Sequence, residues 1–244
     1  MTPRITLAVT RRVLTQLRRD HRTLAMLTVL PSLVLALLWW MFQDLPGPGF
    51  GVLAPALLAL IPVIVMFLVT SVTTLRERTS GTLERLLAMP MGKGDFLLGY
   101  ALAFALVAVV QSGLAVAVSV WFLDLEVTGP VWLLLVVAVV DAVLGAALGL
   151  FVSAFAHTEF QAVQFMPALV IPQILLCGLF VARDSLPRVL EVVSDVLPLS
   201  YAVDAMTKVA TEAEPDLLGD LGIVVAYVVG SLALGALTLR RQTD

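Results

Sequence analysis

The sequence predicts an all-α membrane protein: six transmembrane helices behind an N-terminal amphipathic helix, with both termini cytoplasmic. Three observations lead there. The chain is 60% hydrophobic with a mean hydropathy of +1.01, whereas a soluble domain carries roughly 45–50% apolar residues. Six apolar runs divide it, each close to the ~20 residues that a helix needs to cross a bilayer. The charged residues, 14% of the chain, gather between or beyond those runs.

Residues 1–22 come first. At 100° per residue, Arg4, Arg11, Arg12, Arg18, Arg19 and Arg22 fall in one arc of roughly 120°, and Ile5, Val9, Val13, Leu14 and Leu17 occupy the rest. The pattern predicts a basic amphipathic helix. Its apolar face would sit in the membrane interface, and its arginines would meet anionic headgroups. Thr10-Arg11-Arg12 faintly resembles a twin-arginine signal. The next apolar run is too long for a signal-peptide core, however, and it ends in Trp39-Trp40-Met41-Phe42 without a small-residue cleavage site.

The predicted spans follow in order. Residues 23–42 form the first, closed by the Trp pair at interface depth, and residues 43–50 are a Pro/Gly turn. Residues 51–75 form the second, which Pro55 and Pro62 should bend. Residues 76–95 are a charged loop. The third span is 96–122 and the fourth 131–154, joined by a short acidic loop with Asp124 and Glu126. A polar turn with His157 and Glu159 leads to the fifth span, 162–180, which Pro167 and Pro172 should interrupt. The sixth is 221–239, and Arg240-Arg241 follow it.

Charge sets the expected orientation. With the N-terminus inside, twelve of the 15 Lys and Arg lie on cytoplasmic segments, and an even number of spans returns the C-terminus to that side. The outer loops keep Arg183, Arg188 and Lys208. All three lie in residues 181–220, a mixed acidic segment. Leu186, Val189, Leu190, Val193, Val196 and Leu197 recur there at helical spacing, Pro198 stops that helix, and residues 201–209, starting at Tyr201, can form another. Both are too short and too charged to span, so they should lie in the outer interface or dip into it.

Few residues can carry chemistry. No GxxxxGK[ST] phosphate loop occurs, and Gly92-Lys93-Gly94 has neither the spacing nor the hydroxyl. His21 and His157, the only histidines, sit at cytoplasmic span ends, so no hydrolase or metal site assembles at mid-membrane. The single Cys177 lies in an apolar run and reads as a packing residue. The basic N-terminus has no interleaved aromatics, so no nucleic acid partner is expected. Asp141 is the one acid in the middle of a span, where a charge costs roughly 2.5–3.5 kcal/mol. Ala138, Gly145 and Gly149 share its face, and Gly145 and Gly149 form a GxxxG pattern that favours close helix approach. Two readings stand: Asp141 lines a pathway or subunit interface, or it hydrogen-bonds inside the bundle for packing. Gln111, Gln161, Gln164 and Gln173 are the other polar candidates.

The charged loop holds the remaining signal. Leu83, Leu86 and Leu87 follow i, i+3, i+4 spacing, with Glu84 and Arg85 on other faces. Thr79 or Ser80 can cap a short helix, and Pro90 ends it.

At these residues the chain resembles the permease subunit of ABC-2 type transporters. Glu77, Gly81-Thr82, Glu84-Arg85 and Pro90 match that family's loop between its second and third spans, and Leu197-Pro198-Leu199-Ser200-Tyr201-Ala202 matches its Pro-containing segment before the last span. The helix of residues 1–22, with Arg11, Arg12, Arg18 and Arg19, resembles the family's elbow helix ahead of a 23–244 transmembrane domain. The resemblance implies that two permease copies, a homodimer, form the pathway. Two copies of a separate ATPase subunit would bind below and hold ATP and Mg, so this chain binds no cofactor and has no catalytic residue. Glu77, Gly81, Thr82, Glu84, Arg85 and Pro90 are then ATPase-coupling residues, Asp141, Gly145, Gly149 and Gln173 are pathway or interface candidates, and Pro198 and Tyr201 belong to outer helices at the exit. The daunorubicin-type drug-exporter branch is the more similar one, which implies outward movement of a hydrophobic or amphiphilic drug or lipid-like substrate. The Ala/Val/Leu/Arg-rich composition suggests a high-GC bacterium and hence its plasma membrane. Three alternatives remain: an ATP-independent proton-coupled carrier using Asp141, a polysaccharide or glycolipid exporter of the same architecture, and a non-transporting scaffold.

Overall fold

The computed structural model of the chain describes residues 3–44, 49–80 and 92–238. Among these residues the regular structure is all helical, with α1 (Pro3–Arg19), α2 (His21–Phe42), α3 (Gly49–Thr79), α4 (Lys93–Trp121), α5 (Val131–Val152), α6 (Glu159–Leu176), α7 (Arg188–Val196), α8 (Pro198–Thr211) and α9 (Leu218–Thr238). Six of them, α2 to α6 and α9, are long and apolar enough to cross a membrane.

Two helices form the centre. In both α3 and α5, 61% of the apolar window is buried, against 22% for α2 and α9 and 17% for α6. The reason is small residues. A Cβ added to Gly145 of α5 would lie 2.2 Å from the Val63 carbonyl oxygen of α3, and one on Gly149 would lie 2.5 Å from that of Phe67. The GxxxG pattern thus lets two backbones of the same chain touch. Around this pair the core divides by depth. The half nearer the α1 end packs Val9, Val13 and Leu17 with Met66, Phe96, Tyr100, Phe104 and Leu150. The far half packs Phe50, Leu58, Val63, Leu134 and Leu144 with Leu199, Met206 and Val209 of α8.

Several boundaries differ from those expected. The first helix ends at Arg19, and Arg22 belongs to α2. Asp20 makes the break: its carboxylate accepts hydrogen bonds from the Thr23 backbone N–H at 3.1 Å and the Thr23 hydroxyl at 2.6 Å, capping α2. Those bonds hold its carboxyl below the ordinary carboxylate range. At 31 residues α3 is about 46 Å long, more than the ~30 Å hydrocarbon core. Arg76, Glu77 and Arg78, expected in a loop, are its last turn. The hydroxyls of Thr79 and Ser80 donate to the carbonyls of Leu75 and Glu77, and the helix that either was expected to cap lies outside the described residues. The fifth span is not interrupted: α6 runs through Pro167 and Pro172.

Of the outer helices, α7 exposes Val189, Val192 and Val196. By contrast α8 is drawn into the bundle, with Leu199, Ala202, Ala205, Met206 and Val209 fully buried. Other elements serve both of its ends. Its Leu199 N–H donates to the Gln173 Oε1 of α6 at 3.4 Å. The carbonyls of Val209 and Ala210 accept from the backbone N–H groups of Gly129 and Thr128 at 3.0 and 2.9 Å. Gly129 is required there, because a Cβ would sit 2.6 Å from the Val209 oxygen.

Candidate coupling site

The end of α3 is the most connected polar point on the α1 side. Successive helical residues point 100° apart, so three in a row reach three directions. Arg76 reaches α6, donating from Nε and Nη2 to the two Glu159 oxygens at 2.8 and 2.9 Å. Glu77 reaches α1, accepting from Arg12 Nη2 at 2.9 and 3.1 Å and from Gln16 Nε2 at 3.1 Å. Arg78 reaches the end of α5, where its Nη1 donates to the Ser153 carbonyl at 2.6 Å.

These contacts differ in weight. The Arg76–Glu159 pair is water-exposed, at 62% and 52% of the side-chain surface, and such pairs contribute about 1 kcal/mol or less. The Arg12–Glu77 pair is 30% and 10% exposed, so solvent screens it less.

The amphipathic helix α1 is fastened to α4 as well as α3. The Thr6 hydroxyl donates to Asp95 Oδ1 at 3.2 Å, and the Thr10 hydroxyl bridges the Thr6 and Gly99 carbonyls at 2.9 and 3.1 Å. Gly99 lets the helices close, since a Cβ there would meet the Val9 Cβ at 2.6 Å. The apolar face of α1, expected to sit in the membrane interface, packs Val9, Val13 and Leu17 on Phe96, Leu97 and Tyr100, while Leu7 stays exposed. Arg11, Arg18 and Arg19 stay exposed, but Arg12 is turned to Glu77 and does not face headgroups. Of the expected coupling residues, Glu77 sits in this network, and Gly81, Thr82, Glu84, Arg85 and Pro90 lie outside the described residues.

The other candidates separate. Asp141 is fully buried, and neither carboxylate oxygen has a hydrogen-bond partner among the described residues. Gly145 and Gly149 pack within the chain, as above. Gln173 is spent on structure: besides capping α8, its Nε2 donates to the Leu169 carbonyl at 2.9 Å. Pro198 opens α8, and the Tyr201 hydroxyl donates to the Asp195 carbonyl at 2.6 Å.

Sequence reasoning missed Arg183 as a clamp. It donates to Asp195 Oδ1 at 2.6 Å, to Ser194 Oγ at 3.0 Å and to Asp204, and it lies 5.3 Å from the Tyr201 ring centroid. Burial works against its charge, but the Asp204 and Asp195 carboxylates outweigh burial and hold it above its ordinary value. Its only sequence signal was a lone outer arginine among acids.

A second feature is the outward face of α6. Phe160, Gln164, Ala168, Ile171 and Leu175 form an exposed stripe opposite the buried Ala162, Val170 and Gln173. Pro167 and Pro172 have no N–H, so the carbonyls of Val163 and Ala168 lack their helical donors. Both of those residues are exposed.

Comparison with known proteins gives these features a context. The ABC-2 type transporter family profile matches residues 5–210. The probable multidrug ABC transporter permease YbhR of Escherichia coli (strain K12) is 28% identical over 150 residues, covering 62% of this chain and 41% of that protein. The linearmycin resistance permease protein LnrN of Bacillus subtilis (strain 168) is 25% identical over 171 residues, 69% of this chain and 44% of its own. The probable multidrug ABC transporter permease YbhS of Escherichia coli (strain K12) is 24% identical over 193 residues, 78% and 51% of the two chains. The chain thus spans about half the length of these relatives or somewhat less.

Proposed function

This chain belongs to the ABC-2 type transporter family, and on that footing we propose that it is the permease half of an ATP-driven exporter. Separate ATPase subunits, two copies with ATP and Mg, work on it from the α1 side. It moves a hydrophobic or amphiphilic, drug-like or lipid-like substrate outward across a bacterial plasma membrane. The names of the relatives, multidrug and linearmycin resistance permeases, support that substrate class. The absence of a phosphate loop from the sequence is consistent with ATP being handled elsewhere.

The end of α3 carries the reading. Residues 81–91, the expected ATPase-facing loop, follow directly after the turn that grips α1, α5 and α6 through Glu77, Arg78 and Arg76. A push on that loop acts on α3, one of the two most enclosed spans, and on three neighbours at once. The face of α6 supports a second permease copy. Its exposed apolar residues Phe160, Ile171 and Leu175 are left uncovered by the rest of the bundle and offer that copy a packing surface.

The test is reconstitution of the chain with its ATPase in liposomes. Glu77→Arg is expected to lower ATP-driven transport roughly ten-fold with helical content unchanged, and adding Arg12→Glu is expected to recover much of the loss. Parental transport by Glu77→Arg would remove the coupling assignment. A pH gradient is expected to drive nothing in liposomes holding this chain alone, and transport there would favour the proton-coupled reading through Asp141.

A further inference from the structure

We infer that the Tyr100 hydroxyl and Arg12 Nη1 form a second seat for the Glu77 carboxylate, which Glu77 enters when the end of α3 is displaced. The inference rests on the coupling reading above and makes Tyr100 a positioning residue within it. Both donors are closed to solvent, and neither has a hydrogen-bond partner among the described residues. A buried donor without an acceptor carries its full desolvation cost. Two such donors beside one carboxylate mark a place where that carboxylate can go.

The second seat adjoins the first. Tyr100 is 0% exposed, and its ring packs on that of Phe96 with the centroids 4.4 Å apart. Its hydroxyl feels the charges of both Glu77 and Arg12, though it is bonded to neither. Arg12 meets Glu77 through Nη2 alone, which donates to the two carboxylate oxygens at 3.1 and 2.9 Å. An arginine–carboxylate pair is stronger and better directed when two nitrogens each take one oxygen, and the first seat leaves that fork unmade.

The same contacts say which part moves. Helices α1 and α4 act as one body: Thr6 donates to Asp95, Thr10 donates to the Gly99 carbonyl, and Gly99 lies against Val9. Arg12 on α1 and Tyr100 on α4 are therefore fixed relative to each other. Glu77 stands on a third helix, two residues before its end. A shift of α3 by about 1–2 Å, the size seen in switching helices, gives the carboxylate the Arg12 fork and the Tyr100 hydroxyl. The bond given up is the one from Gln16, an exposed residue to which water has access. Glu77 thus has two positions, and force on the loop after α3 selects between them.

The experiment uses the chain reconstituted with its ATPase in liposomes, with daunorubicin as an amphiphilic probe. Tyr100→Phe removes the hydroxyl and keeps the ring. Its melting temperature is expected to equal or exceed the parental one, because the hydroxyl makes no bond here. ATP-driven uptake is expected to fall roughly ten-fold, with the half-saturating daunorubicin concentration unmoved. A 3-fluorotyrosine at position 100 reports on the hydroxyl directly. Its fluorine resonance is expected to shift on addition of a non-hydrolysable ATP analogue, and to stay in place in Glu77→Ala. Parental uptake by Tyr100→Phe overturns the second seat and leaves the coupling reading to the Glu77→Arg test. A lowered melting temperature overturns it as well, because the hydroxyl then holds the folded state. So does a resonance that never moves or that moves equally in Glu77→Ala. If the parental complex takes up no daunorubicin with ATP, the drug-exporter reading fails and the fluorine signal alone decides this inference.

Discussion

Asp141 and Gly145 lie four residues apart in one helix and predict opposite responses to substitution. Asp141 is enclosed without a hydrogen-bond partner among the described residues, so its carboxyl contributes no bond that a substitution could remove. Asp141→Val, which removes the polar group at modest volume change, is expected to hold stability within about 1 kcal/mol or to raise it, measured as thermal unfolding in detergent. A clear loss would show a bond that the packing hides. Normal stability with lost transport would make Asp141 a working residue. Gly145→Ala is expected to cost about 1–3 kcal/mol. Its methyl group would meet α3 backbone at 2.2 Å, and backbone in so enclosed a span cannot retreat as a side chain can. A parental melting temperature for Gly145→Ala would mean that α3 and α5 are looser than their contact implies.

At the scale of elements, the contacts that tie helices together are unequal. Removing one partner of a buried pair strands the other, at roughly 3–5 kcal/mol when burial is complete. Arg12 is partly open to water, which brings the expected cost of Arg12→Ala to about 2 kcal/mol, whereas Glu159→Gln at the exposed pair is expected to stay within about 0.5 kcal/mol. Chemical denaturation of both variants checks the ranking, and equal effects would contradict it. The outer helices answer to pH. Lys208 of α8 donates to Asp220 of α9 at 2.6 Å. That bond, chiefly, raises the lysine above its ordinary value. A cation whose folded pKa is raised contributes stability that is full below its unfolded pKa of about 10.4 and lost as pH rises through the folded value. The contribution of this pair to the melting temperature is therefore expected to be fully present and pH-independent between about pH 7 and 10, then to fall, with Lys208→Met reducing the alkaline fall. An identical alkaline fall in the variant would assign it elsewhere.

For the whole molecule, the expected orientation rests on the concentration of Lys and Arg at the α1 end and its neighbours. Single cysteines at exposed Arg18 and exposed Val189 should therefore react with a membrane-impermeant maleimide from opposite sides of the vesicle, Arg18→Cys from the cytoplasmic side. Labelling of both from one side would refute the topology. The six spans, the short outer helices and the charged stretch that follows the second apolar run were legible in the sequence, because apolar length and charge position act locally along the chain, whereas the helical continuation through Arg76, Glu77 and Arg78 was not. So was the close approach at Gly145 and Gly149, since small residues at one-turn spacing announce it. The identity of the neighbour was not legible. Those glycines meet α3 of the same chain, and Gln173, expected along a pathway, caps α8.

What the sequence by itself determined was which segments leave water and which side their charges prefer. Each is a sum over a segment's own residues, which transfer free energy decides without reference to neighbours. Tertiary structure alone decided how each polar group is used. Arg12 sits in the same arc as the other arginines of its helix, yet it faces Glu77 because α3 runs on through Thr79 and brings Glu77 beside α1. Arg183 became a clamp only when α7 and α8 brought Asp195 and Asp204 around it. The prolines of α6, expected to interrupt the span, break no helix, and the face of Phe160, Ile171 and Leu175 is one that the rest of the bundle does not cover. Hydrogen bonds and ion pairs are short-ranged and directional, so their partners are set by how the helices pack, and residues 65 apart in the chain, such as Arg12 and Glu77, carry no mark of each other.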